Sequence, residues 1–293
     1  ALIALGHIGT SSALEPARSP ALDARVRAAS LAALAGAGDE KTLSSLKSTL
    51  ADSQKKVRSS FLSYVLEIES PTVMPALSRA IRIYEGEADR MRVARRAAHL
   101  GGLGGASILA RLIRRAGIQY AEEADGLGKA SRELLVKPLF EKLRAGTDRQ
   151  KVALLLAANG TDLAVKALAK AADEGMPEAV LGLAACGSEK ALSLATARAG
   201  MLRRRELEVL AERWTRNSGT NGGEKVQSEI QTGAARSFLT AVLEEGQGAR
   251  TRLMAARLLE KAGGRPDSEA LLAVATMEVL SPEKKQRETE RKE

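Results

Sequence analysis

Chemistry in this 293-residue chain would rest on few side chains: two histidines, one cysteine, one tryptophan and an abundance of arginine. His7 and His99 fall near turns of different segments, with no second soft ligand close in sequence. A zinc site needs about three or four converging ligands, so both are read as turn or partly buried residues and no metal is expected. A lone cysteine, Cys186, excludes an intramolecular disulfide and a multi-cysteine zinc site. The glycines of Leu100-Gly-Gly-Leu-Gly-Gly105 follow no strand and precede no Gly-Lys-Ser/Thr, so they are not read as a phosphate loop. Asn159-Gly160-Thr161 matches a glycosylation sequon but is read as a helix cap. Glu122-Glu123 is what a solvated helix face carries, and no Gly-x-Ser-x-Gly elbow occurs. The expectation is a non-catalytic protein without a cofactor.

Arginine is the exception. Arg79, Arg82, Arg90, Arg92, Arg95, Arg96, Arg111, Arg114 and Arg115 crowd one stretch against only Glu85, Glu87 and Asp89. Arg111, Arg114 and Arg115 have the spacing of one helix face, and Arg79 and Arg82 repeat it one segment earlier. Lys47, Lys170, Arg18 and Arg198 occupy comparable places in other segments. With a net charge of +9, such a strip would attract an acidic protein segment or a phosphate backbone. Arg79, Arg82, Arg92, Arg95, Arg96, Arg111, Arg114 and Arg115 are therefore the candidate partner-binding residues.

Helices must position these side chains. The apolar residues are mostly Ala and Leu, which lose little entropy in a helix, and only 2% of the chain is aromatic. Period-2 alternation is absent, so the chain reads as all-α. A turn pattern recurs at 5–14, 34–43, 65–74, 100–109, 156–165 and 183–192, and again near Leu259. An apolar helix ends, a Gly or Asn takes the left-handed cap, and Asp, Thr or Ser opens the next helix. Gly9-Thr10, Gly38-Asp39, Gly160-Thr161 and Gly187-Ser188 serve this purpose. Cys186 occupies the slot of Ile8, Ala37, Ile68 and Leu103, which places it toward the core. One hairpin cannot bury its own apolar face, so stacking of antiparallel pairs into an α-solenoid is expected.

Val26-Arg27 before LAALAGAGD and Val57-Arg58 before YVLEIES resemble bacterial HEAT-like repeats of the phycobilisome-lyase type. Arg92-Val93 and Lys151-Val152 sit in equivalent places with the order reversed, and Asp23, Asp52, Asp89 and Asp148 lie upstream. The resemblance implies that Asp23/Arg27, Asp52/Arg58 and Asp89/Arg92 tie successive repeats together, and that second helices line a concave face. It divides the chain into regular repeats at 1–112 and 148–196, a degenerate repeat at 113–147, divergent helices at 197–280 and a charged tail at 281–293. The tail and the polar break 217–223 are expected to be loosely ordered. Relatives include bilin lyases and alkylpurine DNA glycosylases, but no Cys/His/Tyr cluster for a bilin stands out here. Trp214, between Arg213 and Arg216, is the one aromatic residue that a glycosylase-like groove would claim.

The function expected is a protein-binding scaffold or adaptor whose basic face holds an acidic partner; binding of duplex nucleic acid through its phosphates is the alternative. Single-strand binding wants aromatic stacking platforms, and these are nearly absent. No run approaches the roughly 20 apolar residues of a membrane span. One cysteine fits a reducing compartment such as the cytoplasm. Yet ALIALGHIGT reads as the middle of a repeat, so the chain is taken as a piece of something longer and an envelope or periplasmic location stays open.

Overall fold

The computed structural model describes residues 23–51, 55–216 and 233–261, all of them helix, turn or coil. Contacts divide the chain into two compact units, Ala1–Leu139 and Phe140–Glu293. Among the described residues there are fourteen α-helices and no strand, so the protein is all-α.

In the first unit the helices are α1 (Ala24–Gly36), α2 (Glu40–Ala51), α3 (Lys55–Glu67), α4 (Met74–Ile83), α5 (Glu87–Leu100) and α6 (Gly102–Ala116). A 3-10 turn at Ile118–Gly126 then leads to α7 (Lys129–Arg144), whose last residues belong to the second unit. Alternate helices pack together: α1 on α3 and α3 on α5, α2 on α4 and α4 on α6. The sequence explains this. In α2, Leu43, Leu46 and Leu50 recur on one face and are buried, and Leu77 with Ile81 in α4 and Leu109 with Ile113 in α6 do likewise. Each such burial stabilises by about 1.5–3 kcal/mol before entropy is counted. The odd-numbered helices are richer in alanine, with Ala28, Ala32 and Ala35 of α1 and Ala94 and Ala97 of α5 fully buried. Small side chains let backbones approach. A Cβ on Gly105 would lie 2.2 Å from the Ala97 carbonyl oxygen, so α5 and α6 touch backbone to backbone there.

The second unit contains α8 (Arg149–Asn159), α9 (Asp162–Asp173), α10 (Pro177–Ala185), α11 (Glu189–Thr196), α12 (Arg204–Arg216), α13 (Gly233–Glu245) and α14 (Ala249–Lys261). Here α8 packs on α10, α10 on α12 and α12 on α14, while α11 packs on α9 and α13. The core runs through Leu156, Leu168, Leu181, Leu183, Leu207, Leu210, Phe238 and Val242.

The stop-start turns are built as their residues predict. Gly38, Gly160 and Gly187 have φ of 84°, 67° and 69°, a region open to glycine. The following side chain then accepts a backbone N–H: Asp39 from Thr42 at 2.9 Å, Thr161 from Ala164 at 3.2 Å, Ser188 from Ala191 at 3.3 Å. Gly9-Thr10 and the copy beyond Lys261 lie outside the described residues. So do the tail and the polar break 217–223.

Three details depart from the repeat register. Leu103, assigned the same inward slot as Ile68, is 65% exposed, because Gly101 and Gly102 both adopt positive φ and turn the start of α6 outward. Asp148 is itself left-handed (φ 42°) and makes no side-chain cap. Asp23 caps its own helix, accepting from the amides of Val26 and Arg25, and these two bonds hold its carboxyl below the usual range.

Candidate functional site

In the first unit α2, α4 and α6 carry a convergence of cations. Apolar stripes pin α2, α4 and α6 by their inner faces, so the polar positions between those stripes point away from the core. Lys47 of α2, Arg82 of α4, Arg111 and Arg115 of α6, and Arg90 of α5 line one cleft of about 370 Å³, with Glu85 as its single carboxylate. Arg82 stands in the last turn of α4, and Arg114 and Arg115 in the last turn of α6. The negative ends of the two helix dipoles favour cations there and offset part of their mutual repulsion.

Arg111 is the fixed member. One guanidinium nitrogen donates to Ser78 Oγ at 2.8 Å and to the Ser78 carbonyl at 3.3 Å, across thirty-three residues of chain. Burial, and then the charges of Arg82 and Arg115, hold its pKa below the ordinary arginine value. Among the described residues Arg82 and Arg115 make no ion pair. Arg90 is steered by its Nε bond to the Tyr84 carbonyl at 3.1 Å. Tyr84 in turn donates its hydroxyl to the Arg58 carbonyl, and burial raises its pKa.

The remaining candidate arginines go elsewhere. Arg79 folds back on the Pro75 carbonyl of its own helix at 3.3 Å. Arg114 lines a neighbouring cleft of about 440 Å³ with Ser107, Ala110, Arg111, Arg115 and Leu134. Arg92, Arg95 and Arg96 project from α5 and bind within the fold. Arg96 donates to the carbonyls of Ile68 (2.7 Å) and Glu67 (3.5 Å) at the end of α3, Arg92 to Ser63 of α3 (3.4 Å), and Arg95 to Glu123 (3.1 Å). The eight arginines therefore separate into four that face the clefts (Arg82, Arg111, Arg114, Arg115), three that join α5 to its neighbours (Arg92, Arg95, Arg96), and Arg79, which bonds its own helix.

Arg96 ties α5 to the end of α3 through backbone carbonyls, and Asp89 pairs with Arg92 inside α5 at 3.6 Å. Arg27 is exposed at the start of α1 and Arg58 lends its carbonyl to Tyr84. Asp52 and Arg18 lie outside the described residues.

In the second unit the corresponding cations are engaged. Arg198 pairs with Asp173 and donates to the Leu194 carbonyl at 2.8 Å. Lys170 and Arg144 both lie over the Phe140 ring, 6.0 and 5.6 Å from its centre. Two further clefts lie in this unit. One, between α12 and α14, mixes Arg204, Arg250 and Arg257 with Glu208, Glu212 and Glu260. The other, between α11 and α13, is lined largely by small residues such as Ser193, Ala197, Ala234 and Ser237.

Cys186 sits at the end of α10 with its Sγ 3.9 Å from the Ala157 carbonyl, and burial raises its pKa to about 11. A thiol so placed is a poor nucleophile. His99 is exposed in the last turn of α5, and His7 lies outside the described residues. Trp214 is only 8% exposed and belongs to the core of α12, so it offers no stacking platform. Among the described residues no group of three His, Cys, Asp or Glu could hold a metal ion, and no helix is long and apolar enough to cross a membrane.

Among the described residues the protein is all-helical, and one of its units carries a cleft lined by five cationic side chains and one carboxylate. No protein-family model matches the chain, and no curated protein matches it.

Proposed function

We propose that the protein is a HEAT-like scaffold whose paired helices stack as a solenoid within each unit and whose basic face holds an acidic segment of a partner protein. The carrying observation is the convergence of Lys47, Arg82, Arg111 and Arg115, from three helices, on one cleft with Glu85 as the only opposing charge. The alternate packing of first helices on first helices and second on second supports the stacked arrangement. The second helices would then form the binding face and the alanine-rich first helices the backing. Unpaired surface cations speed encounter with an acidic partner, and a cleft raises their local potential. A catalytic reading has no support from Cys186, whose thiol stays protonated at neutral pH, or from Trp214, which is packed away.

The test is capture of a glutamate-rich peptide by the full chain at low and at physiological salt. Arg82 and Arg115 are exposed, so the double charge reversal Arg82→Glu/Arg115→Glu leaves the core intact. It should abolish capture, and wild-type capture should weaken as salt screens the charges. Unchanged capture by the double variant would overturn the basic-face reading. So would duplex DNA binding tighter than the peptide, with a steep salt dependence.

A further inference from the structure

Resting on that basic-face reading, we infer that the cleft between α2, α4 and α6 receives a phosphorylated side chain, the phosphomonoester of a phosphoserine or phosphothreonine in a partner protein.

Convergence is the first reason. An extended acidic peptide turns successive carboxylates to opposite sides and would meet cations singly along a strip. Here Lys47, Arg82, Arg111 and Arg115 face one space of about 370 Å³, with Arg90 at its edge. A phosphomonoester carries about −1.5 to −2 charges on three acceptor oxygens, enough to engage several cations at one point. Guanidinium forks match those oxygens two at a time.

Pre-organisation is the second. Ser78 holds Arg111 in place before any ligand arrives, so less side-chain freedom is lost on binding. Arg82 and Arg115 make no ion pair among the described residues, and both press on Arg111. A dianion among the three would relieve every one of these repulsions together.

The adjoining cleft is the third. It shares Arg111 and Arg115, adds Arg114 and Ala110, and exposes Leu134 (41%). Two apolar side chains, Ala110 and Leu134, beside a cation cluster fit the residues flanking a phosphorylated side chain. Neither cleft has an aromatic lining residue on which a base would stack. Glu85 opposes the dianion, so its removal should help binding.

The experiment is fluorescence anisotropy of the full chain with a short labelled peptide carrying one phosphoserine followed by leucine. It is set against the serine and glutamate versions of the same peptide. The phosphopeptide should bind at least about tenfold more tightly than either, in keeping with the strength of charged hydrogen bonds. Inorganic phosphate should displace it. Arg82→Gln and Lys47→Gln, on different helices and both exposed, should each weaken binding by about tenfold while circular dichroism is unchanged. Glu85→Gln should tighten it. If the glutamate peptide binds as well as the phosphopeptide, or inorganic phosphate does not compete, the phosphate inference is wrong and the basic-face reading stands. Failure of every peptide overturns both. Displacement by duplex DNA in preference to the peptide overturns the protein source.

Discussion

Replacing Gly105 with alanine would test the contact that sets α6, and with it Arg111 and Arg115, in position. The added Cβ would stand 2.2 Å from the Ala97 carbonyl oxygen and 3.0 Å from the Ala97 carbonyl carbon. Both are backbone atoms and cannot swing aside, so α6 must withdraw from α5 by about an ångström to restore ordinary van der Waals contact. Over-packing of this kind costs about 1–3 kcal/mol, against up to about 1 kcal/mol gained from alanine's helix propensity. The net expectation is a loss of about 1–2 kcal/mol, read as a lowered midpoint in urea denaturation followed by circular dichroism. A Cβ added at Gly128 would meet no atom within 4 Å, so Gly128→Ala should change stability by only a few tenths of a kcal/mol, the scale of a mild change beside a helix start. The displaced α6 would also pull Arg111 off Ser78, and peptide binding should fall with stability. A Gly105→Ala protein as stable as wild type would refute the close backbone crossing.

Two further outcomes are expected. Thr161→Val removes a fully buried cap together with the 2.6 Å hydrogen bond that its hydroxyl donates to Asn159 Oδ1, costing about 1–2 kcal/mol in the same denaturation assay. For Cys186 the folded pKa of about 11 exceeds the ordinary thiol value of 9.0, so the native state keeps its proton longer than the unfolded chain. Its contribution to stability is therefore present below pH 9 and is lost as pH rises toward 11; Cys186→Ala should flatten that decline, and iodoacetamide should label the native thiol far more slowly than the denatured one.

What could be read in the sequence was local. A glycine at the end of an apolar helix followed by Asp, Thr or Ser is a self-contained piece of hydrogen bonding, and the turns at Gly38, Gly160 and Gly187 form as their residues dictate. Helical spacing also placed Arg111 and Arg115 on one face. Spacing along one helix, however, leaves its rotation against its neighbours open. That rotation depends on close approaches such as Gly105 to Ala97, which pair residues from different helices. The same blindness hid the Ser78 anchor and the separation of Arg92, Arg95 and Arg96 from the cleft. It also hid the exposure of Leu103, which follows two consecutive positive-φ glycines, while Ile68 in the matching slot is buried.

The bond from Arg96 to the end of α3 also has a consequence in time. Its donor is made 28 residues after the Ile68 carbonyl that it caps. At roughly 5–20 residues per second, a nascent chain would hold that helix end open for a few seconds. The end of α3 is thus completed by a residue of α5, made later in synthesis. A pause in translation before Arg96 would leave the Ile68 carbonyl without this donor for as long as the pause lasts.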